Sequence, residues 1–581
     1  MMKKHKIIFI ILVLLAFSIN AQSSTIANIP RESVYLQYNE SLLFSGEHLK
    51  YKIYSIDNSK KRLTNLSKIG YVALLDTKGK EVFKHKIRLK DGSGYGDFFI
   101  ASSIPTGSYK LIGYSEWMKN FEKEYFFQTD IHIINPYQTA DSAYIEETLD
   151  TSILNSDSRA VANSNLQEIQ SPLLSLVLNK GVFKKRDKVT LSITGKDASV
   201  LKGDYNLSIR KADVISSPEQ ETATSFYTKL LKTSNSVNST KTSVSLPELR
   251  GEIVSGNIVN KDSKKPVAGV RVSLSLPGDM YLFNIATSND EGKFRFILDK
   301  EYENLNGVVQ VLADDWDTYE ISMDAKKTEY SNFQYSDFVI TKNMNDYILE
   351  RSIQNQIENA YSVAKSDSIV PANHEKPFYR NLNISYDLDD YTRFNSIQET
   401  VLELIEHVAI RKSNDGNRVF EVRPEGGYSD SRLQPLVFVD GLYLKKHEDF
   451  MDYSAKKIKE INFSRDKVIV GTKIFQGIIS FKTITGDFYK DFYTPHIVNI
   501  DMFKPEAQKE YYIQGYSNTL EQSRVPDYRY QLLWEPNLKF IENKEEITLY
   551  TSDITGDFEV VLEGFTEDGK PVSIKEKFIV E

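Results

Sequence analysis

The sequence predicts a mainly β protein, a string of β-sandwich domains with one small α/β domain among them. Three observations carry this. Aromatic side chains, which favour the pleated surface of a sheet, make up 12% of the 581 residues, with 34 Tyr and 31 Phe. Short alternating apolar runs recur along most of the chain, separated by Gly and Pro turns. One stretch, Tyr386 to Thr483, instead joins a helical pattern to several strands.

Length allows about four to five domains of ~100–150 residues. The formal charge of −8 supplies no basic field, so nucleic acid is not an expected partner. There is no cysteine, which excludes disulfides, a thiol nucleophile and a lipidated N-terminal cysteine. Met1 to Lys6 is basic, Ile7 to Ile19 is apolar, and Ala21 offers a small residue for cleavage. This is the pattern of a signal peptide over 1–21, with export to the periplasm or the outer membrane. The apolar run falls short of the ~20 residues a spanning helix needs, and membrane association is expected through protein contacts only.

Residues 29–137 read as a first sandwich. Val34-Tyr-Leu-Gln-Tyr38 and Leu49 to Tyr54 alternate, and Pro105-Thr-Gly107 turns into a last strand. Tyr35, Phe44, Gly46, Glu47, Gly96, Phe98, Pro105, Gly107 and Tyr109 are spaced in a way that resembles the MG2 domain of α2-macroglobulin-like proteins. Residues 138–171 are a polar linker, and 172–245 hold a second, weaker macroglobulin-like sandwich. Over 246–340, Lys265-Pro-Val-Ala-Gly269 and Thr287 to Ile297 resemble the carboxypeptidase regulatory-like domain, a non-catalytic seven-stranded sandwich.

Residues 345–365 predict a helix whose docking face is Leu349, Ile353, Ile357 and Tyr361. Ser396-Ile-Gln-Glu399 is a capping box, and Ile397, Val401, Leu404, Ile405 and Val408 form the buried face behind it. Pro435-Leu-Val-Phe-Val-Asp-Gly441 is a buried strand running into a turn. Gly471 and Gly477 punctuate a loop before the last strand, Ile478 to Thr483. Over 378–485 this order resembles the plug domain of TonB-dependent outer-membrane receptors, of the kind found in Bacteroidota. Asp440, Gly441, Gly471 and Gly477 are its candidate residues. Their expected role is structural, with partner contact assigned to the 464–477 loop. Residues 500–581 resemble a closing macroglobulin-type β segment.

No catalytic constellation, metal site or cofactor site is expected. None of the eight histidines, at 5, 48, 85, 132, 374, 407, 447 and 496, lies at metal-ligand spacing from another. Asp387 opens no calcium loop, because Thr392 and Gln398 stand where glycine and a carboxylate belong. Without cysteine the macroglobulin thioester cannot form. The residues after Thr483 do not carry the ~22 strands of ~10 residues that would close a barrel around a plug. The resemblances therefore imply a non-enzymatic interaction protein whose plug-like domain docks with a separate outer-membrane β-barrel protein or its complex. The alternative is a macroglobulin-like protein that binds proteases or peptides non-covalently, with the 138–171 linker as bait.

Overall fold

A computed structural model describes residues 31–121, 125–146, 168–232, 244–330, 333–371, 378–379, 382–413, 416–426, 433–492, 494, 497–516, 525–540 and 542–581. The signal-peptide expectation over 1–21 lies outside them, as do residues 147–167 of the polar linker. The chain forms two compact units. The first takes the described residues of Met1–Leu249, Glu329–Val370 and Pro505–Glu581; the second takes those of Arg250–Thr328 and Pro371–Lys504.

In the first unit, the N-terminal sandwich packs the strands Glu32–Tyr38, His48–Asp57, Arg62–Leu63 and Ser93–Phe99 against a second sheet. That second sheet runs in the order Leu42–Phe44, Phe127–Ile134, Gly107–Tyr114, Ile69–Leu75, Glu81–Arg88. Alternation explains the core: Leu36, Leu49, Ile53, Leu111, Ile131 and Ile133 meet there, all almost wholly buried. The strand Glu32–Tyr38 is buried on both faces, because its outward Tyr35 packs on Phe565 and Phe226 at 5.9 and 5.2 Å between ring centroids.

The second sandwich corrects two expected boundaries. A three-stranded sheet of Leu174–Leu178, Lys188–Gly195 and Lys544–Tyr550 faces a five-stranded one ordered Val182–Phe183, Pro571–Val580, Gly556–Phe565, Asp204–Lys211, Gln531–Leu538. Segments read as a second sandwich over 172–245 and a closing segment over 500–581 are thus halves of one domain. They share one core running from Leu174 to Val580. Each half alone exposes unpaired strand edges and an unfinished apolar face, and pairing removes both defects.

The second unit starts with a sandwich whose sheets are Lys293–Leu298, Glu252–Asn260, Tyr319–Met323 and Leu282–Thr287, Arg271–Leu276, Asn306–Val311, Ile497–Asp501. Its seventh strand comes from beyond the plug-like segment, and residues 329–340 belong to the first unit, so the expected range of 246–340 is displaced at its end.

The α/β domain of this unit has a five-stranded sheet ordered Ile384–Asp387, Ile458–Val470, Lys473–Thr483, Leu436–Val439, Leu442–Tyr443. The helix Ile397–Glu403 covers one face, with Ile397, Val401, Ile405 and Val408 in the core beneath it. Ser396 caps it as the sequence predicts: its Oγ accepts from Glu399 N at 3.2 Å. The other sheet face is covered by Tyr281 and Phe283 of the neighbouring sandwich, packed on Leu436, Phe438, Phe475 and Ile478.

The helix Asn345–Ala360 forms, but it is turned away from the predicted face. Leu349 and Ile353 are 61% and 48% exposed, whereas Arg351, Ser352 and Asn355 are buried. Two carboxylates on the docking surface require a cation opposite them, and that requirement sets the rotation of the helix.

Candidate functional site

The four sequence-predicted residues fall at turns and bulges of the α/β domain. Asp440 and Gly441 have φ of +47° and +80°, a two-residue turn of the primed type between the strands Leu436–Val439 and Leu442–Tyr443. Asp440 is also a buried acceptor. Its carboxylate takes hydrogen bonds from Thr483 N at 2.8 Å, Thr483 Oγ1 at 2.6 Å and Phe488 N at 3.0 Å. It thereby ties the exit of the last strand to the following turn. Gly441 lies against the neighbouring sandwich, where a Cβ would come within 2.3 Å of Tyr281 Cβ. Asp440→Asn keeps the φ, which asparagine tolerates, and one acceptor oxygen, but loses the bond that an amide nitrogen cannot accept. A cost of about 1–2 kcal/mol is expected, measured by denaturant unfolding.

Gly471 and Gly477 do not punctuate a loop. The strands Ile458–Val470 and Lys473–Thr483 form a long antiparallel hairpin, with Gly471 (φ +58°) in its two-residue turn. Gly477 (φ +85°) lies beside the register shift between Ser464 and Lys467, where a Cβ would stand 2.7 Å from Val422 Cβ and 2.8 Å from Ser464 O. The expected contact loop over 464–477 is therefore a paired ribbon, and Gly477 is a packing position. The structure brings the candidates together as two backbone devices, and Asp440 alone adds a side-chain role.

The hairpin tip leaves two apolar side chains exposed side by side. Ile469 and Ile474 are direct cross-strand partners and are 71% and 48% exposed. Their neighbours Val468, Val470 and Phe475 are buried. Thr472, in the turn, accepts from Arg271 Nε at 3.1 Å and is held over the adjoining sandwich. The signal was present in the sequence, since Val468-Ile-Val470 and Ile474-Phe475 leave apolar residues for both faces of a strand.

Sequence reasoning missed the polar clamp of the first unit. Arg351 Nε and Nη2 donate to Glu47 Oε1 and Oε2 at 2.8 and 2.9 Å, and Nη1 donates to Asp213 Oδ2. The guanidinium carbon lies 4.2 Å from the centre of the Phe44 ring and 4.7 Å from that of Tyr530. Burial alone would raise the Asp213 carboxyl, but Arg351, the Ile215 N–H and Arg210 together hold it below its ordinary value. Glu47 was noticed only as a motif residue, because its partner lies 304 positions away.

Burial pushes the imidazole of His447 down to about 3 and that of His132 to about 4, so both are neutral near pH 7. His447 Nδ1 accepts from Phe420 N at 3.1 Å, a structural use of the ring. Among the described residues no group of three or more acidic or histidine side chains is arranged to hold a metal ion. No helix among them is long and apolar enough to cross a membrane.

These features define a multi-sandwich β protein with an embedded α/β domain. No family model matches the sequence, and no curated protein does. Its solved structural neighbours include bacterial α2-macroglobulins. The chain is similar to Salmonella alpha-2-macroglobulin reacted with methylamine, at 9% identity and a TM-score of 0.21, over 94% of this chain and 39% of that one. Against the native conformation of the Escherichia coli protein the values are 10%, 0.23, 95% and 40%. The Yersinia pseudotuberculosis adhesin InvE gives 9% identity and a TM-score of 0.12 over 50% of this chain and 57% of that one. The chain spans about two fifths of the length of the macroglobulin structures it matches. At these TM-scores the likenesses carry nothing about activity, and the fold class stands on the strand pairing itself.

Proposed function

We propose that this protein is a non-catalytic interaction protein of the cell envelope, exported by its N-terminal segment. Its α/β domain docks with a separate outer-membrane β-barrel protein. The observation that carries the reading is the hairpin tip. Two isoleucines paired across a ribbon and left in water, on a domain whose two sheet faces are already covered, make an apolar contact point with nothing else to do. Burying such a pair against a partner removes apolar area from water without any rearrangement of the domain.

The test is affinity purification from gently solubilised envelopes through a C-terminal tag. The wild type is expected to recover one large barrel protein in fixed ratio. Ile469→Ser/Ile474→Ser should lose at least nine tenths of that recovery while its melting temperature stays within about 2 °C, because both changes are at exposed positions. Recovery of the chain alone from the soluble fraction would remove the reading. Gly477→Val is a poor probe here, since its side chain collides with Val422 and a loss of binding would report a displaced strand.

A further inference from the structure

A second site lies in the first unit. A cleft of about 890 Å³ opens between its two sandwiches, a size that suits a small ligand. Its walls are turns fixed by close backbone approach. A Cβ on Gly569 would meet Lys61 O at 2.0 Å, and one on Gly92 would meet Thr64 O at 2.8 Å. The Gly569 turn thus abuts the N-terminal sandwich backbone to backbone, and the Gly92 approach fixes the turn within that sandwich.

Five cations line it: Lys60, Arg62, Lys90, Lys202 and Lys539, each exposed to solvent. The lining carboxylates are mostly committed elsewhere. Asp204 is bound by the fully buried Lys52 and by Ser93 Oγ. Asp57 accepts the amides of Ser59 and Lys60 at 2.8 and 3.0 Å. Glu567 lies 3.7 Å from Lys202. Among the described residues, no carboxylate comes within ion-pair reach of Lys60, Arg62, Lys90 or Lys539, and Asp57 and Asp91 are the lining acids without an ion pair. Five lining cations face the four carboxylates of Asp57, Asp91, Asp204 and Glu567, and with Lys52 behind Asp204 the cleft carries a net charge of about +2, a local reversal of sign in a molecule of net charge −8.

We infer that this cleft binds a small polyanion, a ligand carrying two or more phosphate or carboxylate groups. The guanidinium of Arg62 supplies a bidentate fork and the lysines supply mobile point charges. Thr64, Asn65 and Asn537 offer neutral donors for ester or hydroxyl oxygens.

The probes are sodium tripolyphosphate, titrated calorimetrically into the full chain, and vesicles of phosphatidylglycerol, scored by flotation. The full chain is expected to bind tripolyphosphate, with an affinity that falls as salt is raised. Lys60→Gln/Arg62→Gln/Lys539→Gln should weaken binding tenfold or more and flatten the salt dependence, with an unchanged melting temperature. Vesicle binding lost in the same variant would make the ligand a lipid headgroup, and tripolyphosphate binding without vesicle binding would make it a soluble anion. A wild type that binds neither probe at millimolar concentration, or a triple variant that binds as tightly as the wild type, would overturn the inference.

Discussion

Arg351→Met is expected to destabilise the first unit by about 3–5 kcal/mol, the usual cost of removing one partner from a buried ion pair. Arg351 is completely buried, and its side chain is the cation opposite both Glu47 and Asp213, which are themselves 12% and 5% exposed. Methionine fills much of the space between the Phe44 and Tyr530 rings, so the loss reports charge more than a cavity. The pH dependence separates the two causes. In the wild type the Asp213 carboxyl is held below its ordinary value, so its contribution is complete above the usual carboxylate range and is lost as pH falls through the depressed value. Without the arginine, burial is left to raise that carboxyl, and acidification then protonates it in the folded state at little cost. Urea midpoints at pH 7 and pH 5 should differ far more between wild type and variant at the higher pH. Equal differences at both would show that packing, not charge, holds the clamp.

The same clamp shows where the sequence was readable and where it was not. Signals that act within a few residues could be read: the Asp440-Gly441 turn needs positive φ twice, and Ser396 with Glu399 caps its own helix. Alternation also placed the strands of the first sandwich. Completion of a sheet by a distant segment could not be read, as when Lys544–Tyr550 pairs with Lys188–Gly195 to finish the second sandwich. Alternation says which face of a strand is buried and nothing about which strand lies beside it. The helix Asn345–Ala360 failed for a different reason. Leu349 and Ile353 have the spacing of a docking face, but Arg351 and Asn355 have it too, and only the carboxylates of Glu47 and Asp213 decide between them. Gly441 stands in the turn the sequence predicts, whereas Gly471 and Gly477, expected to punctuate a loop, stand in a hairpin turn and beside a register shift, with the exposed isoleucine pair between them. Both strands of that ribbon look like core until their pairing is known.

Glu563 carries the second large effect, of opposite sign in pH. Its carboxyl is buried in the strand Gly556–Phe565, in the interior of the first unit, and burial raises it to about 8. Around it stand Ala223 N at 2.7 Å, Ser573 Oγ at 2.9 Å and Tyr35 OH at 3.5 Å, with no cation bonded to it among the described residues. These donors favour the charged form without outweighing desolvation. Between the ordinary glutamate range and about pH 8 the folded chain therefore keeps a proton that the unfolded chain has released. Folding stability must fall as pH rises through that window. Glu40, raised to about 7 by burial beside Arg210, acts in the same direction and ends sooner. Glu563→Gln retains an acceptor for Ala223 N, removes the titration, and should flatten the stability profile above pH 6. At pH 9 it is expected to be more stable than the wild type by several kcal/mol, a shift of several degrees in melting temperature. The N-terminus of the helix Ala223–Lys232 gives a local readout, because its first amide is held by this one side chain. Ionised, the carboxylate is the stronger acceptor for Ala223 N, so relative to the intrinsic base-catalysed increase, hydrogen exchange of that amide should slow between pH 7 and pH 9 in the wild type and not in Glu563→Gln. If the two exchange alike, the carboxyl stays neutral throughout and burial holds it higher still.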